Sequence, residues 1–125
     1  MSKRQVSIAV DAMGGEGSPE KVLKGTELFL QQEKNTKIVF FGNEILINKK
    51  IKENNLNIFN FDIVNTQDLI SDEDNVNTIL RSKKDSSIYR ALEFAKKNSH
   101  TGFVSSGSTA AIMVLSRLHM GMIKG

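Results

Sequence analysis

The sequence predicts an α/β protein, a three-layer sandwich on a largely parallel sheet. Short apolar runs rich in β-branched residues recur at Val6 to Val10, Lys37 to Gly42 and Thr101 to Ser105. Stretches with helical spacing of apolar residues stand between them, so strand and helix alternate, the pattern of helices packed on a parallel sheet. A glycine-rich turn, Asp11 to Pro19, leaves the first run and leads into the first helix.

Val6 to Val10 reads as a buried first strand. After the turn, Ser18 is placed to cap a helix whose first position is Pro19, with Glu20 supporting its positive end. Val22, Leu23, Thr26, Phe29 and Leu30 form its apolar face. Lys37 to Gly42 is a second buried strand, and Asn43 caps a helix carrying Ile45, Leu46, Ile47 and Ile51 that the Asn54-Asn55 pair stops. Asn57 to Thr66 alternates in character and reads as a third strand. The polar stretch Gln67 to Asp85, acidic first and basic last, reads as a loop with a short helix near Asn77 to Arg81. Asp85, Ser86 or Ser87 caps the next helix, with Ile88, Ala91, Leu92 and Ala95 inside and Arg90, Glu93, Lys96 and Lys97 outside. Thr101 to Ser105 is a fourth strand, and Ala110 to Leu118 reads as a helix apolar nearly all round, hence buried. No capping element or last strand precedes Gly125, so the fold is expected to be incomplete at the C-terminus.

The 125 residues, 39% hydrophobic and 25% charged, are those of one soluble globular domain over 1–125. Zero cysteines exclude a disulfide framework, a thiolate metal site and a cysteine nucleophile. His100 and His119 are not spaced as a ligand pair, so neither a metal nor a cofactor is expected. A net charge of +3 without clustered basic residues, no Trp and one Tyr argue against nucleic-acid binding, while leaving room for an acidic protein partner. No apolar run approaches the roughly 18 residues a spanning helix needs. Met1 to Arg4 has the charge of a signal n-region, but the apolar run behind it is short and meets Asp11. A cytoplasmic location is expected.

Two turns follow strands that can lie side by side, and in open parallel sheets ligands bind outside the carboxyl ends of the strands. The first holds Asp11, Gly14, Gly15 and Gly17; the second, Ser105 to Thr109, is dense in hydroxyls around Gly107. Backbone N–H groups, a helix N-terminus and hydroxyls together suit a phosphate or a developing oxyanion. The plain alternatives are a tight strand-to-helix connection and a Ser108 or Thr109 helix cap. A third candidate is Arg81-Ser82-Lys83-Lys84-Asp85-Ser86-Ser87, basic side chains ahead of a Ser-capped helix; the alternative there is a solvated charge run. Asp11 orients a ligand, moves a proton or ties down its own turn. No Ser/His/Asp or Cys/His arrangement is visible, and Gly14-Gly15-Glu16 completes neither a dinucleotide nor a Walker pattern.

Val-Asp-Ala-Met-Gly-Gly at 10–15, the Arg81 to Ser87 run and Ser-Gly-Ser-Thr at 106–109 together resemble the bacterial phosphate acyltransferase family, across essentially the whole chain. The resemblance implies a Rossmann-like fold of the isocitrate/isopropylmalate dehydrogenase kind, of which this chain is the N-terminal part. It implies transfer of a fatty acyl group from acyl carrier protein to inorganic phosphate, giving acyl phosphate for phospholipid synthesis. Phosphate is then the nucleophile, so no catalytic serine or cysteine is needed. Asp11, Lys84 and Thr109 are the implied catalytic residues, Asp11 orienting the loop or the substrate. Gly14, Gly15, Arg81, Lys83, Ser86, Ser87, Ser106, Gly107 and Ser108 are the implied phosphate-binding residues, with no metal and no cofactor. A homodimer and peripheral membrane contact are implied for the longer form, through regions past Gly125. The chain departs from the family pattern at Glu16 and Gly17, where Asp and His are usual, at Ser108 and Ala110, where Asn and Gly are usual, at Val76, where Pro is common, and at Ile88, where Met is usual. Two other readings stand beside this one: a non-catalytic phosphate- or acyl-carrier-binding module, and a short-chain phosphate acyltransferase.

Overall fold

The computed structural model describes residues 6–67 and 85–105. Strand β1 (Ser7–Asp11) leads to helix α1 (Glu20–Gln32), β2 (Lys37–Gly42) to α2 (Glu44–Glu53), and β3 (Phe61–Asn65) is followed by α3 (Ser87–Lys97) and β4 (Thr101–Ser105). The strands form one four-stranded sheet in the order β3-β2-β1-β4, every pair parallel. This is the α/β class the alternation predicts. The expected helices at Asn77 to Arg81 and Ala110 to Leu118 lie outside the described residues.

Alternation of side chains divides the central strands between two apolar layers. Val10, Ile38 and Phe40 point to one face and pack with Leu23 and Leu30 of α1 and Ile47 of α2. Ala9, Val39 and Phe41 point to the other and pack with Ala91 and Ala95 of α3. Both faces of β1 and β2 are therefore buried, which is why these strands read as unbroken apolar runs. Phe40 meets Phe61 edge-on at 5.8 Å, and Phe41 meets Phe94 at 5.6 Å.

The caps are largely as expected. Asn43 accepts the Leu46 N–H at 3.0 Å, and the second helix ends at the Asn54-Asn55 pair, Asn55 having a φ of +55°. Two differences have local causes. The third strand begins at Phe61 rather than Asn57, because Asn60 adopts a φ of +56° and its side chain bonds back to the Thr36 carbonyl at 3.1 Å. Ser18 does not cap the first helix: its hydroxyl donates to the Gly14 carbonyl instead, Pro19 takes the cap position, and the helix starts at Glu20.

After β3 at one edge the chain returns through α3 to β4, on the far side of β1. The strand order therefore reverses between β1 and β4, and α3 lies on the opposite face from α1 and α2. A crevice at the carboxyl ends of these two strands is the place where such sheets bind ligands.

Candidate functional site

Asp11 and Ser105 are the last residues of β1 and β4, and the parallel register sets them side by side. Asp11 is 2% exposed. A carboxylate so buried needs hydrogen-bond donors around it, and Asp11 has four. Its Oδ1 accepts the N–H groups of Met13 and Gly14, each at 3.1 Å, and the Ser87 hydroxyl. Its Oδ2 accepts the Ser105 hydroxyl at 2.6 Å. Three donors converge on Oδ1 and one on Oδ2, so both oxygens are engaged by the protein's own groups. Asp11 holds its own turn, the start of α3 and the end of β4 in one junction, across 76 and 94 residues of sequence.

The turn is shaped by its neighbours. Ala12 is fully buried and donates its N–H to the Phe41 carbonyl, carrying the β1–β2 pairing one residue past the strand. The Met13 side chain lies over Gly42 at the end of β2: a Cβ built on Gly42 stands 2.7 Å from Met13 Cγ and 2.9 Å from Sδ. Gly15 and Gly17 take φ values of +87° and +81°, which side chains with a Cβ resist. Gly14 has committed its N–H to Asp11. Among the described residues, the N–H groups of Gly15, Glu16 and Gly17 bond no other group. Successive free N–H groups around left-handed glycines form a concavity suited to an anion.

At the start of α3, Ser86 is the cap: its Oγ accepts the Tyr89 N–H at 3.2 Å. Ser87, the first helical residue, turns instead to Asp11. Asp85 accepts the Gln67 N–H at 3.1 Å and the Arg90 guanidinium at 2.6 Å, drawing the end of β3's exit to α3. Asp11, Gly14, Gly15, Ser86 and Ser87 thus converge on one edge of the sheet. Lys84, Thr109, Arg81, Lys83, Ser106, Gly107 and Ser108 lie outside the described residues.

Ser105, read in the sequence only as the end of a strand and the start of a hydroxyl-rich turn, is a full member of the junction. The signal for it is positional: a hydroxyl closing one strand beside a carboxylate closing another. Glu20 is held below the ordinary carboxylate range by its hydrogen bond to Lys24 at 3.0 Å and by that lysine's charge. Among the described residues no group of carboxylates and histidines is arranged to hold a metal ion, and no helix is long and apolar enough to cross a membrane.

Comparison with known proteins bears on the same stretch. The family model described as "Fatty acid synthesis protein" matches residues 6–125. A phosphate acyltransferase of Caldicellulosiruptor saccharolyticus is 35% identical over 120 residues, 96% of this chain and 36% of the relative. One of Clostridium tetani is 36% identical over 120 residues, again 96% of this chain and 36% of the relative. One of Macrococcus caseolyticus is 36% identical over 120 residues, 96% of this chain and 35% of the relative. The chain spans about a third of the length of the relatives it matches. With the three motifs in order and the Asp11 junction at the sheet's switch point, the chain belongs to the fatty acid synthesis protein family, alongside phosphate acyltransferases.

Proposed function

We propose that this chain serves the transfer of a fatty acyl group from acyl carrier protein to inorganic phosphate, yielding acyl phosphate for phospholipid synthesis. The observation that supports it most is the Asp11 junction at the carboxyl ends of β1 and β4, which holds the start of a glycine turn whose Gly15, Glu16 and Gly17 N–H groups bond no other described residue. In the proposed reaction a phosphate oxygen attacks the thioester carbonyl. The carbonyl becomes a tetrahedral oxyanion, and its collapse expels the carrier's thiolate, which takes a proton. Two demands fall on the protein: to hold a dianion against the thioester and to stabilise the oxyanion. The loop amides and the N-terminus of α3 meet the first, with Arg81, Lys83 and Lys84 supplying positive charge. Thr109, with Ser106, Gly107 and Ser108, is assigned to the oxyanion or to phosphate. Asp11 positions the loop, since both its oxygens are bonded to the protein's own groups, Met13, Gly14, Ser87 and Ser105. A cytoplasmic enzyme, homodimeric and touching the membrane peripherally in its longer form, is part of the same proposal.

The test titrates the chain with inorganic phosphate by calorimetry and, separately, follows acyl phosphate formed from acyl carrier protein thioester as the hydroxamate. Saturable phosphate binding with turnover supports the proposal, and Lys84→Ala then weakens phosphate saturation while Thr109→Val slows turnover. Binding without turnover supports the non-catalytic module. Neither binding nor turnover refutes both.

A further inference from the structure

We infer that Ser105 is a positioning residue for the glycine turn, acting through Asp11. The inference rests on the reading of that turn as a phosphate site, but its geometry is independent of the ligand. Ser105 Oγ is the donor to Asp11 Oδ2, at 2.6 Å, while Oδ1 serves Met13, Gly14 and Ser87. A carboxylate is planar, so fixing Oδ2 against β4 fixes where Oδ1 points. Oδ1 in turn fixes the two N–H groups that fold the turn back on itself. β4 is an edge strand among the described residues, bonded to β1 alone. Ser105 is thus where the edge strand is tied by a side chain to the strand that carries the turn.

The tie has a directional consequence. With its proton donated to Asp11, the Ser105 hydroxyl faces any further partner as an acceptor, and a hydroxyl so engaged is strengthened in that role. A shift at the end of β4 therefore moves the carboxylate, and the carboxylate moves the glycine turn.

The experiment is amide hydrogen exchange by NMR on the whole chain, comparing wild type with Ser105→Ala and Ser105→Thr. Loss of the hydroxyl should lower protection at the Met13 and Gly14 amides by about tenfold, the size of one charge-assisted hydrogen bond. The Ile47 amide, bonded to the Asn43 carbonyl in α2, should not change. Ser105→Thr, which keeps the hydroxyl, should restore protection, and Ser105→Cys, a far weaker donor of similar shape, gives the same readout should the alanine variant not fold. Unchanged protection at Met13 and Gly14, or an equal loss at Ile47, would overturn the inference. Titration of the same samples with inorganic phosphate separates the two ideas. An affinity lowered about tenfold in Ser105→Ala and restored in Ser105→Thr extends the coupling to the ligand. Wild type that binds no phosphate yet shows the protection pattern refutes the phosphate reading and leaves the positioning role supported.

Discussion

Two strands of this sheet end side by side and hand over to helices on the same face, yet they do so in opposite ways. β2 ends at Gly42, and a single residue, Asn43, starts α2 by capping its own Leu46 N–H. That exit is exposed and short; its distant ties are the Glu44 N–H to the Asn65 side chain at 3.0 Å and the Thr66 N–H to the Gly42 carbonyl at 2.9 Å. β1 ends at Asp11 and takes residues 12–19 to reach α1, through glycines with left-handed backbone and a buried carboxylate. A sheet of this kind does not require the longer form, since the neighbouring strand manages without it. Backbone freedom and a desolvated charge both oppose folding. Their concentration at the β1 exit, beside the switch point, supports the proposal that this loop takes a ligand.

The largest test of that contrast is Asp11→Ala. It strands two N–H groups and two hydroxyls that shared one carboxylate, and urea denaturation should show a loss of about 3 kcal/mol or more. Asp11→Asn keeps the shape and one oxygen acceptor, so it should lose less stability while still weakening phosphate binding. A loss below about 1 kcal/mol for the alanine variant would make Asp11 an ordinary turn residue like Asn43.

Next is Gly42→Ala, which sits where the two exits touch. Its Cβ meets Met13 Cγ at 2.7 Å and Ile47 Cδ1 at 3.1 Å, so the Met13 side chain has to leave its seat. Overpacking of this kind costs about 2 kcal/mol. The double variant with Met13→Ala should recover part of it, and a coupling near zero in that cycle would mean that Met13 does not anchor the turn.

Much of this was legible in the chain, and the boundary of legibility has a cause. β2 and β4 have the expected bounds because continuous apolar runs flanked by turn residues leave few alternatives. The Asn43 and Ser86 caps are chemistry between near neighbours, written within three residues. The start of β3 was not legible, since alternation runs on through Asn57 to Asn60 and gives no sign of the positive φ at Asn60. Ser18 was misread for a similar reason: its hydroxyl has two local uses, a cap or the Gly14 carbonyl, and composition does not choose between them. At the site, Asp11 as the tie of its own turn is local and visible. Its bonds to Ser87 and Ser105 depend on β4 lying next to β1, and strand order is a property of the whole sheet that no periodicity encodes.

A smaller effect tests the simple exit. Asn43→Ala removes the α2 cap and should cost about 1 kcal/mol in urea denaturation, with phosphate affinity unchanged. A change in phosphate affinity would mean that the two exits are not functionally separate.

The smallest effect, and the only gain, should come from Gly25→Ala. The glycines of the β1 exit hold conformations that a Cβ opposes, so they are required where they stand. Gly25 is different: it lies inside α1 with helical backbone, and a Cβ there meets nothing within 4 Å. It borders an open apolar groove of about 330 Å³ between α1 and the sheet, lined by Ile8, Val10, Val22, Phe29 and Val104. Glycine in a helix interior is about 0.8–1.0 kcal/mol worse than alanine, so the substitution should stabilise the chain by about that amount. Gly17→Ala, at φ +81°, should destabilise it by a comparable amount. Opposite signs for the same chemical change would show that the β1 exit uses glycine for its backbone and α1 does not. A destabilising Gly25→Ala would instead mean that α1 is approached across this groove by something that needs the missing side chain.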